Sequence, residues 1–208
     1  MMRSRGYQVY HYGVEPSEAG ADVNIDLLTA QEWQQLRVES YLILHPEADP
    51  NDERRFVGDL ANIGTPLCRE FNSRLRAALI EHYRPGDIVC LPFGEAHKEA
   101  IDNLEVLAVE TGIGYPDSFL NFRIFESYAW KHWACGRYNV PPHNYWFVCP
   151  NYYDILEWPL GQPKPIVGYF GRICAIKGLD TVVEVARRFP DTQFVICGQG
   201  EDQIGRAH

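Results

Sequence analysis

Residues 166–201 read IVGYFGRICAIKGLDTVVEVARRFPDTQFVICGQGE, and this stretch decides the fold. An apolar run at 166–170 leads into Gly171-Arg172. Lys177-Gly178 follows, then an amphipathic segment, then a second apolar run that ends in Gly198-Gln199-Gly200-Glu201. Strand, helix and strand at this spacing predict one βαβ unit. Its glycines and its two cations gather at the carboxyl ends of the strands, the edge at which open α/β sheets bind ligands. A guanidinium and an ammonium at that edge suit a ligand bearing phosphates.

Upstream of this unit the pattern alternates in the same way. Residues 7–12 read as a short strand and 13–20 as a polar loop. Thr29 and Glu32 form a capping box at a helix start. A short apolar run at 41–44 is stopped by His45-Pro46, and 47–55 is charged and loop-like. Thr65 as cap and Pro66 at the first helical position open the clearest helix, with Leu67, Phe71, Leu75, Ala78, Leu79 and His82 on one face. Residues 87–91 predict a strand whose unbroken apolarity fits a sheet covered on both faces. Further elements are expected as a helix at 95–103, strands at 104–109 and 122–125, a helix at 127–135 and a strand at 146–149. This alternation predicts a doubly wound α/β fold. The segment Gln162-Pro163-Lys164-Pro165 reads as a linker, so a first domain is expected over 1–161 and a second over 162–208.

Bulk composition narrows the function. The chain has 208 residues, 46% of them hydrophobic, enough for a sizeable core. Its formal charge of −9 without a basic stripe argues against nucleic acid and against a polybasic membrane anchor, while leaving a peripheral membrane contact open. The six cysteines show no knuckle or redox spacing. Cys90, Cys149 and Cys197 each end an apolar run and are expected to pack as small reduced hydrophobes, which implies a reducing, cytoplasmic setting. The first residues do not read as a signal peptide, and no apolar run is long enough to span a bilayer. His11, His45, His132 and His143 have no metal-ligand spacing, so neither a metal nor another cofactor is expected.

Three segments, in order, resemble one family. Val148-Cys149-Pro150-Asn151-Tyr152-Tyr153-Asp154 is similar to the V-I-P-N-x-x-D segment of glycosyltransferases with the GT-B fold. Gly171-Arg172 with Lys177-Gly178-Leu179-Asp180 resembles their G-R-x-x-x-x-K-G-x-D signature, and Gly198-Gln199-Gly200-Glu201 their G-x-G-x-E turn. Together these are the marks of group-1 (family-four) glycosyltransferases. Residues 109–115 and 125–130 look like a subgroup of such enzymes. The resemblance implies two Rossmann-like domains, the second binding a nucleotide-sugar donor. It further implies transfer of a hexosyl group to a carbohydrate or other small acceptor, with retention and without metal. It implies a chain incomplete at both ends: the first strand and helix of the first domain are missing, and no E-x7-E motif of the second follows Glu201.

Within that resemblance Gly171, Arg172 and Lys177 would hold the donor diphosphate, where glycosyl transfer develops negative charge. The alternative is a pair of ordinary surface cations. Gly200 and Glu201 would lie on the donor-sugar side, or Glu201 would cap a following helix. His97, after the strand at 87–91, and Glu110, after the strand at 104–109, are the catalytic candidates. Their structural alternatives are a surface histidine at a helix start and an acid accepting amides from the turn Gly112-Ile113-Gly114. Trp130, Trp133, Tyr138 and Trp146 either stack on an acceptor sugar or pack in the core or on the surface. Two rival functions stay open: a nucleotide-sugar epimerase of related fold, and a non-catalytic, truncated binding module.

Overall fold

The computed structural model describes residues 2–47, 49, 62–153, 156–157, 160–173 and 177–198. The protein is mixed α/β, and its paired strands run parallel. The described residues fall into two compact units. The first holds residues 2–47 and 62–152; the second holds Asp49 and the described residues from Tyr153 onward.

The first unit begins with strands β1 (Tyr10–Val14) and β2 (Val23–Leu28), paired in parallel. β2 has no counterpart among the sequence-based expectations, and β1 starts three residues later than the expected strand at 7–12. Helix α1 (Ala30–Leu44) opens with the expected capping box: Thr29 Oγ1 accepts the Glu32 amide, and the Glu32 carboxylate accepts the Thr29 amide at 2.8 Å. The apolar run at 41–44 is the last turn of this helix. Helix α2 (Pro66–His82) starts at the Thr65 cap and buries Leu67, Phe71, Leu75 and Leu79 along one stripe. That stripe packs against Leu27 and Leu28 of β2 and against Leu91, Ala100, Ile101 and Ala108. The alternation of apolar positions at three- and four-residue steps is thus what seats α2 on the core.

A four-stranded parallel sheet follows: β3 (Ile88–Leu91), β4 (Leu107–Ile113), β5 (Arg123–Phe125) and β6 (Trp146–Val148), neighbours in that order. The expected helix at 95–103 is a 3-10 turn, Gly94–His97, continued by one α-turn, α3 (Lys98–Ile101). β4 starts later than expected and runs four residues beyond Val109, so Glu110 lies within the strand. Helix α4 (Tyr128–Tyr138) joins β5 to β6, capped by Ser127.

The registers place Val89, Leu91, Ala108, Glu110, Arg123, Phe125, Trp146 and Val148 on one face of this sheet. A bulge between Glu110 and Ile113, where Gly112 takes φ 63°, returns Ile113 to the same face. Ile113, Phe125, Ala134 and Trp146 form a second apolar cluster there. The opposite face corrects an expectation. Ile88 is 56% exposed, Leu107 41% and Phe147 59%, so among the described residues of the first unit the second face of the sheet is left open. Cys90 belongs to that open face, and Cys149 and Cys197 are exposed as well; Cys68 is the buried thiol among the described cysteines. An unbroken apolar run fixes a strand's chemistry but not what the rest of the chain lays over it.

The second unit contains β7 (Ile166–Phe170), α5 (Leu179–Arg188) and β8 (Gln193–Cys197), with β7 and β8 parallel over five matched pairs. Leu179 is buried and Val182, Val183 and Ala186 are half-buried, the inward face that the spacing predicts.

Candidate functional site

Two groups of site residues emerge, one in each unit. In the first unit the chain leaves β3 through Phe93 and turns at Gly94, which has φ 55°. A Cβ on Gly94 would stand 2.6 Å from the Tyr115 ring and 3.2 Å from Glu110 Oε1, so glycine is required for both conformation and space. The turn delivers His97 into the interior, 4% exposed. It is not the surface histidine of the structural alternative. Its Nδ1 lies 3.2 Å from Asn72 Oδ1, and the rings of Phe71 and Phe93 stand 5.9 and 5.8 Å away. Burial lowers its pKa to about 4, so the imidazole is neutral at neutral pH.

Glu110 is fully buried, at 0% exposure. Its Oε2 accepts the amides of Phe119 at 3.0 Å and Leu120 at 2.8 Å, and Arg123 Nε stands 3.8 Å from it. The amides come from the loop before β5, not from the glycine turn the sequence suggested. Arg123 gives its short bonds to backbone oxygens, 2.6 Å to Leu120 and 3.2 Å to Ser118, and its guanidinium lies over the Trp146 ring at 4.6 Å. Burial pushes the Glu110 carboxyl upward, opposed by the two amides and by Arg123. Glu110 Oε1, Tyr115 OH and Arg123 Nη1 are buried without a partner among the described residues. This geometry makes Glu110 an anchor that ties the 115–123 loop to the sheet.

Sequence reasoning gave no role to the next strand ends. Glu126 follows β5, and its Oε2 accepts from Asn151 Nδ2, beyond β6, at 3.1 Å. Its carboxylate lies against Gly114 after β4. The signal was present, because all three residues sit inside segments quoted for the family resemblance. Of the four aromatic candidates, Trp146 is core, Trp130 and Tyr138 pack on the same cluster, and Trp133 is 42% exposed.

In the second unit Gly171 N donates to Cys197 O at 3.1 Å, closing the carboxyl ends of β7 and β8. Gly198 comes so near the Gly171 carbonyl that no Cβ fits. Arg172 and Lys177 are both exposed, and Gly178 caps α5 without a side chain. Tyr169 OH donates to Arg172 O at 3.0 Å, fixing the backbone that carries the guanidinium. Gly200 and Glu201 lie outside the described residues. Among the described residues no cluster of His, Cys, Asp and Glu is placed to hold a metal, and no helix is long and apolar enough to cross a membrane.

Comparison with family models, curated proteins and solved structures finds no match to this chain.

Proposed function

We propose that the chain is part of a group-1 glycosyltransferase of the GT-B type, moving a hexosyl group from a nucleotide-sugar donor to a hydroxyl-bearing acceptor. One observation carries the reading. The second unit is a parallel βαβ element in which Gly171 and Arg172 follow β7 and Lys177 precedes the Gly178 cap of α5. A helix N-terminus without a side-chain cap presents amides and a positive dipole end. With a point cation just before it and a fork-shaped one just after β7 in the sequence, this suits a diphosphate leaving group that gains charge during transfer. His97, neutral and at the end of the turn that follows β3, supports a role with an uncharged, hydroxyl-bearing part of a substrate. Glu110, enclosed as an anchor, takes no part in the chemistry of this proposal.

Calorimetry with a nucleoside diphosphate tests the clamp. Hydrogen bonds to charged groups contribute about 1.5–3 kcal/mol each, so Arg172→Ala with Lys177→Ala should weaken binding by at least about 100-fold. Unchanged affinity refutes the diphosphate assignment. Product analysis with a labelled donor separates transfer from epimerisation, and turnover of neither kind would favour a binding module.

A further inference from the structure

The proton on His97 can be placed from its neighbours. Asn72 lies on the buried face of α2, and its Nδ2 approaches two backbone carbonyls, Cys68 O at 2.8 Å and Ala96 O at 2.6 Å. It also lies 3.3 Å from Cys68 Sγ. Carbonyl oxygens only accept, so the amide nitrogen must face them; the flipped carboxamide would set three acceptor oxygens against one another. That choice fixes Oδ1 on the other side, 3.2 Å from His97 Nδ1. A carboxamide oxygen also only accepts, so Nδ1 must carry the hydrogen. In a neutral ring Nε2 is then a bare lone pair. Nε2 makes no hydrogen bond among the described residues, so its lone pair is not taken up by a protein donor there.

We infer that Asn72 is a positioning residue: it holds His97 as the Nδ1–H tautomer and so presents Nε2 as a fixed hydrogen-bond acceptor to a hydroxyl group of a polyol or sugar. The chemistry selects the ligand class. A hydroxyl has a proton to give to Nε2, whereas an unprotonated phosphate oxygen would meet the lone pair with its own. The assignment of that hydroxyl to a sugar substrate rests on the proposed function; the tautomer does not. Two of these bonds, to Ala96 O and His97 Nδ1, join α2 to the turn after β3, so ring orientation and proton position are set by one side chain.

Long-range proton–nitrogen correlation NMR on the full chain, with nitrogen-15 histidine and assignment through His97→Gln, reads the tautomer. The wild type should show His97 protonated at Nδ1 and bare at Nε2. A spectrum with the proton on Nε2 overturns the inference, even if no Asn72 variant folds. In Asn72→Ala the ring should relax toward a mixture of tautomers; an unchanged Nδ1–H pattern there assigns the tautomer to something other than Asn72 and likewise overturns it. Free glucose should move the Nε2 resonance in the wild type and sulfate, an anion with no proton to give at neutral pH, should not. A resonance unmoved by glucose, or moved by sulfate, overturns the acceptor role. Diphosphate binding at Arg172 and Lys177 is measured separately, so failure of that clamp and failure of this tautomer give different results.

Discussion

Acid should destabilise the first unit through His97. Its ring is buried with a pKa near 4, whereas the unfolded chain takes up a proton near 6.5. Above pH 6.5 neither state is protonated and stability is unaffected. Between 6.5 and 4 the unfolded state binds a proton that the folded state refuses, so stability falls as pH falls through that window. A difference of roughly 2.5 pH units at 1.36 kcal/mol each, less the half-protonation of the folded ring at pH 4, gives about 3 kcal/mol lost between pH 7 and pH 4. Glu110 acts in the opposite sense. Burial raises its pKa, so protonation favours the folded state, and its contribution grows as pH drops. That effect is shared by wild type and His97→Gln, and the comparison between them cancels it. Urea unfolding followed by tryptophan fluorescence at the two pH values should therefore show a wild-type loss about 3 kcal/mol greater than that of the variant. Equal losses would refute the picture of a neutral, buried imidazole.

Other substitutions probe the scaffold that sets the site. Glu110→Ala leaves Arg123 and the amides of Phe119 and Leu120 without their buried carboxylate, and should cost about 3–5 kcal/mol in urea unfolding. A cost below about 1 kcal/mol would show that the anchor is dispensable. Phe125→Ala removes a fully buried ring from the second apolar cluster and should cost about 3–5 kcal/mol by the same measure. Gly94→Ala combines a left-handed backbone with a Cβ against the Tyr115 ring, and should lower stability by about 2–5 kcal/mol. Thermal melts that coincide with wild type would refute that crowding.

What could be read from the chain follows the range of the forces involved. The caps at Thr29 and Thr65 and the stripe of α2 were legible because their partners lie within a few residues. β2 was missed although Val23, Ile25 and Leu27 alternate with Asn24 and Asp26. Its stability as a strand comes from the ladder to β1, which single-strand propensity does not contain. The apolar run at Ile88 was legible as a strand, but its exposure depends on what packs above it. At the site the same limit holds. Glu110 and His97 stood out as residues, while their roles rest on Arg123 in the β4–β5 register and on Asn72 one helix away. The acceptor bonds that make Glu110 an anchor come from a loop whose path no local pattern states.

The order of the four-stranded sheet has a kinetic meaning. Each of its strands pairs with the next one along the chain, so no strand must be threaded between two that have already met. Closing short loops one after another costs little entropy at each step. As the polypeptide leaves the ribosome amino end first, β3 offers an edge to β4, β4 to β5 and β5 to β6, and the sheet can extend in the direction of synthesis. The pairing of Glu110 with Arg123 falls midway in that sequence. The second apolar cluster is completed only when Trp146 arrives with β6, the last strand to dock.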